Sequence, residues 1–147
     1  MINIVPMNHS HVPAIAALEQ QLFSAPWDEA SVRGELFNEL SLWLVAEENG
    51  SVLGYIGSQT VLGESDMLNL AVHPDHRRKG IGRLLTESLC DALLKMGSHC
   101  ITLEVRVSNE PAKQLYASLG FESVGRRPRY YSRPVEDADI LRKELVP

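Results

Sequence analysis

The sequence predicts a protein of the α+β class, in which helices flank a sheet. The chain has 147 residues, 44% of them hydrophobic, which suits one domain with its own core. Apolar residues recur at helical spacing in two segments, 9–22 and 83–96. Short runs of strand length lie between and after these segments. We therefore expect a single domain over residues 1–147.

The N-terminal half predicts two helices followed by a hairpin. The first helix covers residues 9–22, and the second begins at Asp28, a residue type that caps helix N-termini. Two strands follow, joined by Asn49-Gly50. Both of these residues tolerate the positive φ angles that a tight hairpin turn needs. The predicted strands are 42–48 and 51–60.

The C-terminal half alternates strands and helices. One strand ends at His73-Pro74, and the long helix after it is closed by Gly97. The overall order is α-α-β-β-β-α-β-α-β-β. The predicted segments are a strand over 67–72, a helix over 83–96, a strand over 99–106, a helix over 111–119, and strands over 121–126 and 138–145.

Composition and charge exclude several classes of protein. The net charge of −5 argues against a general nucleic-acid binder, and a mildly acidic surface could attract a basic partner. No apolar run approaches the roughly 18 residues of a membrane span, and the N-terminus lacks a signal-peptide pattern. Cys90 and Cys100 fall in an apolar helix and an apolar strand. This predicts two free core thiols in a reducing cytoplasm.

A basic loop with two glycines, HRRKGIGR at residues 76–83, opens the long helix. Glycines let the backbone approach a ligand closely, and the first N–H groups of a helix have no partner within it. The helix N-terminus and four Arg or Lys side chains favour an anion such as pyrophosphate. The alternative is a solvated basic turn. The pattern is neither the dinucleotide fingerprint nor a P-loop.

Two motifs in register resemble those of a known family. The loop Arg77-x-x-Gly80-x-Gly82 is similar to the signature [Q/R]-x-x-G-x-[G/A] of the GNAT superfamily of acetyl-CoA-dependent N-acetyltransferases. Residues 109–125, NEPAKQLYASLGFESVG, resemble its second signature, N-x-x-A-x-x-L-Y-x-x-x-G-F. Order and spacing agree over residues 2–145. The resemblance implies the GNAT fold, a mixed and mostly antiparallel central sheet flanked by helices, with acetyl-CoA as co-substrate.

The sequence resembles one branch of this family more closely, the RimI-type enzymes. That branch acetylates the N-terminal alanine of the eighteenth protein of the small ribosomal subunit. The resemblance implies the same transfer here, with the N-terminus of that ribosomal protein as the peptide partner. The segments that carry it are Ala25-Pro26-Trp27, Asn69-Leu70-Ala71-Val72, Leu103-Glu104-Val105-Arg106, Arg126-Arg127 followed by Tyr130-Tyr131, and Glu136-Asp137-Ala138.

The resemblance assigns two residues that would move protons. Glu104 matches the family's glutamate in Leu-Glu-Val-Arg and would act as general base, directly or through water. The alternative is a surface glutamate paired with Arg106 or another cation. Tyr116 matches the family's tyrosine and would act as general acid toward the thiolate leaving group. The alternative is a tyrosine packed beside Leu115 and Leu119. An α-amine, with a pKa of about 7.7–8.0, needs less help from a base than a lysine at about 10.4.

The resemblance also assigns binding roles. Backbone groups of one strand would pair with the pantetheine arm, and the glycine loop would hold the pyrophosphate. Asn109, an N-cap residue type, would contact the co-substrate as well. Trp27, Tyr130 and Tyr131 would line the peptide groove. The expected acetyl-CoA-binding residues are Leu70, Ala71, Val72, Arg77, Arg78, Lys79, Gly80, Ile81, Gly82, Arg83 and Asn109.

Two further patterns suggest other chemistries. His73 with His76 and His9 with His11 lack the Cys or acidic partners of a zinc site, so we expect solvated loop histidines and no metal. The run RRPRYYSR, residues 126–133, combines arginine and tyrosine in a way that could stack on nucleic acid. Its place between two late strands and the family resemblance favour instead a loop that lines the substrate groove, without direct nucleic-acid contact.

Two alternatives keep the fold but change the function. One is a GNAT acetyltransferase of a small-molecule amine, such as a polyamine or an aminoglycoside. The other is a non-catalytic module that binds CoA or a peptide, against which Glu104 and Tyr116 argue. A cytoplasmic location without membrane association is expected, and the sequence does not determine the oligomeric state.

Overall fold

The computed structural model describes residues 1–147. Its helices and strands are β1 (Asn3–Pro6), α1 (Val12–Leu22), α2 (Glu29–Gly34), β2 (Ser41–Glu48), β3 (Ser51–Val61), β4 (Glu64–Val72), α3 (Ile81–Lys95), β5 (Cys100–Arg106), α4 (Glu110–Ser118), β6 (Glu122–Ser132) and β7 (Val135–Glu144). The seven strands form one sheet in the order β1-β2-β3-β4-β5-β7-β6. Only β4 and β5 pair in parallel. The predicted α+β class with a mixed, mostly antiparallel sheet is confirmed.

Most predicted elements are present, but one strand was missed and several predicted boundaries were wrong, including the end of β6 and the start of β7. The prediction missed β1, because four residues ending in proline are too few to show a period. β4 begins at Glu64, three residues earlier than predicted. α3 begins at Ile81 rather than 83, because Gly80 adopts a left-handed φ of 76° and the helix starts directly after it. The Asn49-Gly50 turn is confirmed, with φ angles of 52° and 81°.

The segment 126–133 was predicted as a loop, and the structure makes it largely part of β6. The register of β6 against β7 shifts between Arg127 and Tyr131, so that extra residues bulge out of the strand. Arg129 takes a positive φ of 53° in this bulge, and its N–H donates to Asp137 Oδ1 at 2.9 Å. Pro128 and the bulge give the sequence its loop-like character, although pairing resumes beyond them.

The helices pack on the two faces of the sheet. One core cluster joins α1 and α2 to a face that includes Trp43 and Val45. The larger cluster joins α3 and α4 to the opposite face, which includes Leu44 and Ala46. These four neighbours in β2 alternate between the faces, as strand geometry requires. Cys90 and Cys100 are buried and unpaired, as predicted. None of the helices has both the length and the apolar character needed to span a bilayer.

The two central strands, β4 and β5, separate along their length. They pair only over three residues, from Glu64 with Cys100 to Asp66 with Thr102. Beyond Asp66, β4 stays paired with β3 while β5 stays paired with β7. In β4 the register against β3 also shifts between Met67 and Leu70, which places an extra residue on β4 as a bulge. A V-shaped opening therefore forms in the middle of the sheet.

One glycine allows a close approach behind this opening. Gly54 of β3 faces Val72 of β4, and a Cβ at Gly54 would lie only 2.6 Å from the carbonyl oxygen of Ala71. It would also lie 3.3 Å from Val72 Cα and 3.4 Å from the Ile81 side chain. Residue 54 must therefore lack a side chain for β4 to lie where it does.

Candidate active site

A cavity of about 520 Å³ lies where β4 and β5 separate. Its lining is mostly hydrophobic with a few polar groups, which is the usual composition of a small-molecule site. Residues 67–70 of β4 and 103–106 of β5 form its two facing walls. The predicted site residues that line it are Trp27, Leu70, Glu104, Asn109, Tyr116, Tyr130 and Tyr131. Ala71, Val72 and residues 77–83 lie outside this lining.

The cavity wall formed by β4 has an unpaired backbone edge. β3 pairs with β4 as far as Val72, whereas β5 pairs with β4 only as far as Asp66. The N–H and C=O groups that face β5 from Met67 onward therefore have no strand partner. Buried backbone groups require hydrogen bonds, and an extended ligand with amide groups could supply them. Leu70, Ala71 and Val72 lie along this edge and lead toward the glycine loop.

The glycine loop presents the N-terminus of α3. Gly80 lies at the N-cap, and no side chain caps the helix there. Leu84 is the first residue of this turn whose N–H donates to a backbone carbonyl, which is that of Gly80. The preceding N–H groups are free for an anion. The Ile81 side chain is buried, so only its backbone is available to a ligand. The four Arg or Lys side chains of the loop, Arg77, Arg78, Lys79 and Arg83, are exposed.

The first turn of α3 adjoins the cavity. A Cβ on Gly82 would lie 3.6 Å from Leu115 and 4.0 Å from Leu70, and both of these residues line the cavity. Arg83 donates to Ser118 Oγ in α4, which ties the two helices together. A ligand lying along β4 could therefore reach from the cavity to the helix N-terminus.

Glu104 lies on the β5 wall of the cavity. Its neighbours Leu103 and Val105 are buried on the opposite face of β5, as the strand alternation predicts. Its carboxylate is 23% exposed and pairs with Arg127 Nε at 3.3 Å. The pairing cation is therefore Arg127 of β6, whereas Arg106 pairs with Glu136. The carboxylate is accessible from the cavity and can accept a proton there.

Tyr116 lies in α4 with its hydroxyl at the cavity. The residue is buried, its ring packs edge-on against Phe121, and its hydroxyl approaches Met67 Sδ at 3.6 Å. Thioether sulfur is a weak acceptor, so this hydroxyl has no strong partner in the protein. Burial, and to a smaller extent the nearby Tyr131, raises the pKa of Tyr116 well above the ordinary tyrosine value. The group therefore stays protonated at neutral pH.

Aromatic side chains close the other sides of the cavity. Trp27, from the segment between α1 and α2, packs edge-on against Trp43. Tyr130 and Tyr131 of β6 pack edge-on against each other. Burial raises the pKa of Tyr131 to about 12, so its hydroxyl is a donor at neutral pH. Asn109 lines the cavity and caps α4, where its side chain accepts from Ala112 N–H at 3.3 Å. Its predicted N-cap role is confirmed.

Three polar residues of the site were missed by the sequence-based prediction. Asn69 and Arg106 line the cavity, and the guanidinium of Arg106 lies 4.2 Å above the Tyr131 ring. Glu19 lies behind the cavity with no exposed surface. A signal for Glu19 was present, because it falls four residues after Ile15 on the apolar face of the first helix. A carboxylate at such a position needs buried partners.

His11 and His73 take part in local hydrogen bonds. No group of three or more His, Cys, Asp or Glu side chains is arranged to hold an ion. His11 was expected to be solvated, and this was wrong. It is buried, its Nε2 lies 2.8 Å from Glu47, and its Nδ1 accepts from Asn8 N–H at 3.0 Å. His73 Nδ1 accepts from Asp75 N–H, so these two rings serve local structure.

The fold and the cavity agree with a family assignment. The chain belongs to the acetyltransferase (GNAT) family, which it matches over residues 12–121. The resemblance drawn from the two sequence motifs is therefore confirmed.

Particular relatives are similar over nearly the whole chain. Over 146 residues the chain is 39% identical to the [ribosomal protein bS18]-alanine N-acetyltransferase of Escherichia coli, covering 96% of each protein. The crystal structure of the E. coli enzyme with this activity superposes with a TM-score of 0.91 at 36% identity, covering 100% of this chain and 96% of that one. A chain of the NatC complex, crystallised with a Gag peptide and CoA, superposes with a TM-score of 0.85 at 27% identity, covering 99% of each chain.

Proposed function

We propose that this protein transfers the acetyl group of acetyl-CoA to the N-terminal α-amine of ribosomal protein bS18, whose first residue is alanine. The convergence of Glu104 and Tyr116 on one cavity at the unpaired edge of β4 carries the proposal. The similarity to the E. coli [ribosomal protein bS18]-alanine N-acetyltransferase supports it, as does the similarity to a NatC structure that contains CoA and a peptide. Residues 1–147 act as one domain, and the reaction belongs to the cytoplasm, where ribosomal proteins are made.

The chain's own residues would orient acetyl-CoA, which supplies an activated acetyl thioester. Over residues 70–72, the backbone groups of β4 that face away from β3 match the amide groups of a pantetheine arm, in the manner of an added strand. The free N–H groups at the start of α3 and the exposed cations beside them match a pyrophosphate. One of the N–H groups of β4 would also polarise the thioester carbonyl.

Glu104 would receive a proton from the acceptor amine, directly or through water. An ammonium has no lone pair, so the amine must be neutral before it attacks the thioester carbon. An α-amine has a pKa of about 7.7–8.0, so near neutral pH a substantial fraction is already neutral. The carboxylate at the cavity wall removes the proton that the amine still carries after attack. The ion pair with Arg127 holds this carboxylate in place.

Tyr116 would donate a hydrogen bond, and then a proton, to the departing thiolate. The conjugate acid of that thiolate has a pKa of about 8.5, like cysteine. Because the pKa of Tyr116 lies well above this value, complete proton transfer to sulfur is uphill. Its first contribution is thus a hydrogen bond to the charge that develops on sulfur, in a buried setting where such a bond is strong.

The aromatic wall favours a peptide as the acceptor. Trp27, Tyr130 and Tyr131 surround the end of the cavity, and Tyr131 offers a hydroxyl donor for a peptide carbonyl. The similarity to a protein N-terminal acetyltransferase along the whole chain disfavours a small-molecule amine and a non-catalytic module.

The test is mass spectrometry of a peptide with the N-terminal sequence of bS18, incubated with the protein and acetyl-CoA. A second peptide, with a blocked N-terminus and internal lysines, serves as substrate control. We expect one acetyl group on the free α-amine and none on the blocked peptide. Acetylated lysines, or small amines that outcompete every peptide, would overturn the assignment.

A matched pair of variants tests the base. Glu104→Gln removes the carboxylate from the cavity, whereas Glu87→Gln makes the same change on the exposed surface of α3. General bases contribute typically about 10²–10⁴-fold, so kcat should fall by about a hundredfold or more for the first variant only. Full turnover by Glu104→Gln would exclude Glu104 as the base.

A further inference from the structure

A buried carboxylate joins three parts of the site. Glu19 of α1 has no exposed surface and no cationic partner. It accepts from the backbone N–H of Trp27 at 3.0 Å, from the hydroxyl of Tyr55, and from the Asn69 side chain. Trp27 and Asn69 both line the cavity. Glu19 therefore fixes two cavity walls that come from distant parts of the sequence.

The carboxylate also determines which way the Asn69 amide faces. Asn69 Nδ2 lies 3.0 Å from Glu19 Oε1 and 2.9 Å from Oε2. Both carboxylate oxygens accept from this nitrogen, so the nitrogen of the amide faces Glu19. The amide oxygen, Oδ1, consequently faces away from Glu19.

Asn69 Oδ1 is available to a ligand. No buried side-chain nitrogen or oxygen in the molecule lacks a hydrogen-bond partner. Because Oδ1 has no partner in the protein, it must be accessible, and the open space beside Asn69 is the cavity. The last paired residues of the two walls are Asp66 and Thr102. Asn69 lies three residues beyond this point on β4, and Glu104 lies two residues beyond it on β5.

We propose that Asn69 is a substrate-binding residue whose Oδ1 accepts a hydrogen bond from the acceptor α-amine, and that Glu19 is the positioning residue that aims it. This inference rests on the proposed function. A neutral primary amine has two N–H groups and one lone pair. With one N–H directed to Asn69 on β4 and the other toward Glu104 on β5, the lone pair points at the thioester. The arrangement specifies a primary amine, which has two hydrogens to donate.

Three variants separate this role from a structural one. Asn69→Ala removes the acceptor. Glu19→Gln places a donor as well as an acceptor beside Asn69, so the amide is no longer held in one orientation. Tyr55→Phe is the matched control, because it removes another donor to the same buried carboxylate and leaves the Asn69 contact intact. Steady-state kinetics with the bS18 peptide and acetyl-CoA, each varied separately, provide the comparison.

We expect kcat/KM for the peptide to fall about tenfold or more in Asn69→Ala and in Glu19→Gln, the loss typical of a hydrogen bond to a charged or reacting group. KM for acetyl-CoA should stay within about twofold of the wild-type value. Tyr55→Phe should keep both constants even though its urea midpoint falls.

The outcomes distinguish this inference from the function on which it rests. Peptide kinetics in Asn69→Ala and Glu19→Gln that match wild type would overturn the inference and leave the proposed function intact. A loss in Tyr55→Phe as large as in the other two would overturn it as well, because the network would then act only through stability. A wild-type protein that leaves the peptide unmodified would overturn the proposed function and the inference together.

Discussion

Substitution of Gly54 by alanine tests how closely β3 and β4 must approach. The new Cβ would lie 2.6 Å from the Ala71 carbonyl oxygen, inside any normal contact distance, and a backbone atom cannot rotate away. Such overpacking costs about 1–3 kcal/mol, and the reduced freedom of the unfolded chain offsets about 0.4–1 kcal/mol. The net loss of about 1–2 kcal/mol corresponds to about 2–8 °C in Tm for a chain of this size. The same strain displaces the edge that would pair with pantetheine, so acetyl-CoA should bind more weakly.

The assay pairs urea denaturation with calorimetric titration of acetyl-CoA. Gly34→Ala is the control, because it makes the same chemical change at the end of α2, where a Cβ meets nothing within 4 Å. Since Gly34 has helical backbone angles, alanine there should stabilise the protein by about 0.5–1 kcal/mol. A urea midpoint of Gly54→Ala equal to or above that of wild type would refute the argument from close approach.

Two further predictions concern the buried tyrosines. Tyr116→Phe should lower kcat by about a hundredfold, because it removes the general acid. The urea midpoint should stay nearly unchanged, because the lost hydroxyl contacts only a thioether sulfur. An unchanged kcat in steady-state assays would remove Tyr116 from the mechanism. Burial raises the pKa of Tyr55 and Tyr116 in the folded state. Their contribution to the free energy of unfolding is therefore fully present below pH about 10, the pKa of tyrosine in the unfolded chain, and declines at higher pH. Urea midpoints measured from pH 8 to 11 should therefore begin to fall above pH 10. A midpoint that stays constant above pH 10 would contradict the burial of these hydroxyls.

The features that sequence predicted well are those encoded by neighbouring residues. The Asn49-Gly50 turn and the Asn109 cap depend on backbone angles and on hydrogen bonds within a few residues. The glycine loop and α3 follow from adjacent residues in the same way. Such features need no knowledge of the rest of the chain, so local patterns identify them.

The features that sequence did not predict depend on contacts between distant segments. The opening of the sheet follows from β4 and β5 pairing with different neighbours beyond Asp66, and no local pattern records this divergence. Glu19 contacts residues 36 and 50 positions away, so its role in orienting Asn69 emerges only in the folded chain. β1 was missed because so short a strand forms only through its pairing with β2.

The bulge in β6 has a consequence for solubility. β6 is an edge strand of 11 residues, and a long regular edge can recruit the edge of another molecule and start aggregation. Here Pro128 removes one backbone donor, the bulge interrupts the regular spacing, and Arg126 and Arg127 add charge. The opposite edge, β1, is only four residues long and ends in proline. The irregularity that carries Tyr130 and Tyr131 to the cavity thus also keeps neighbouring molecules from extending the sheet.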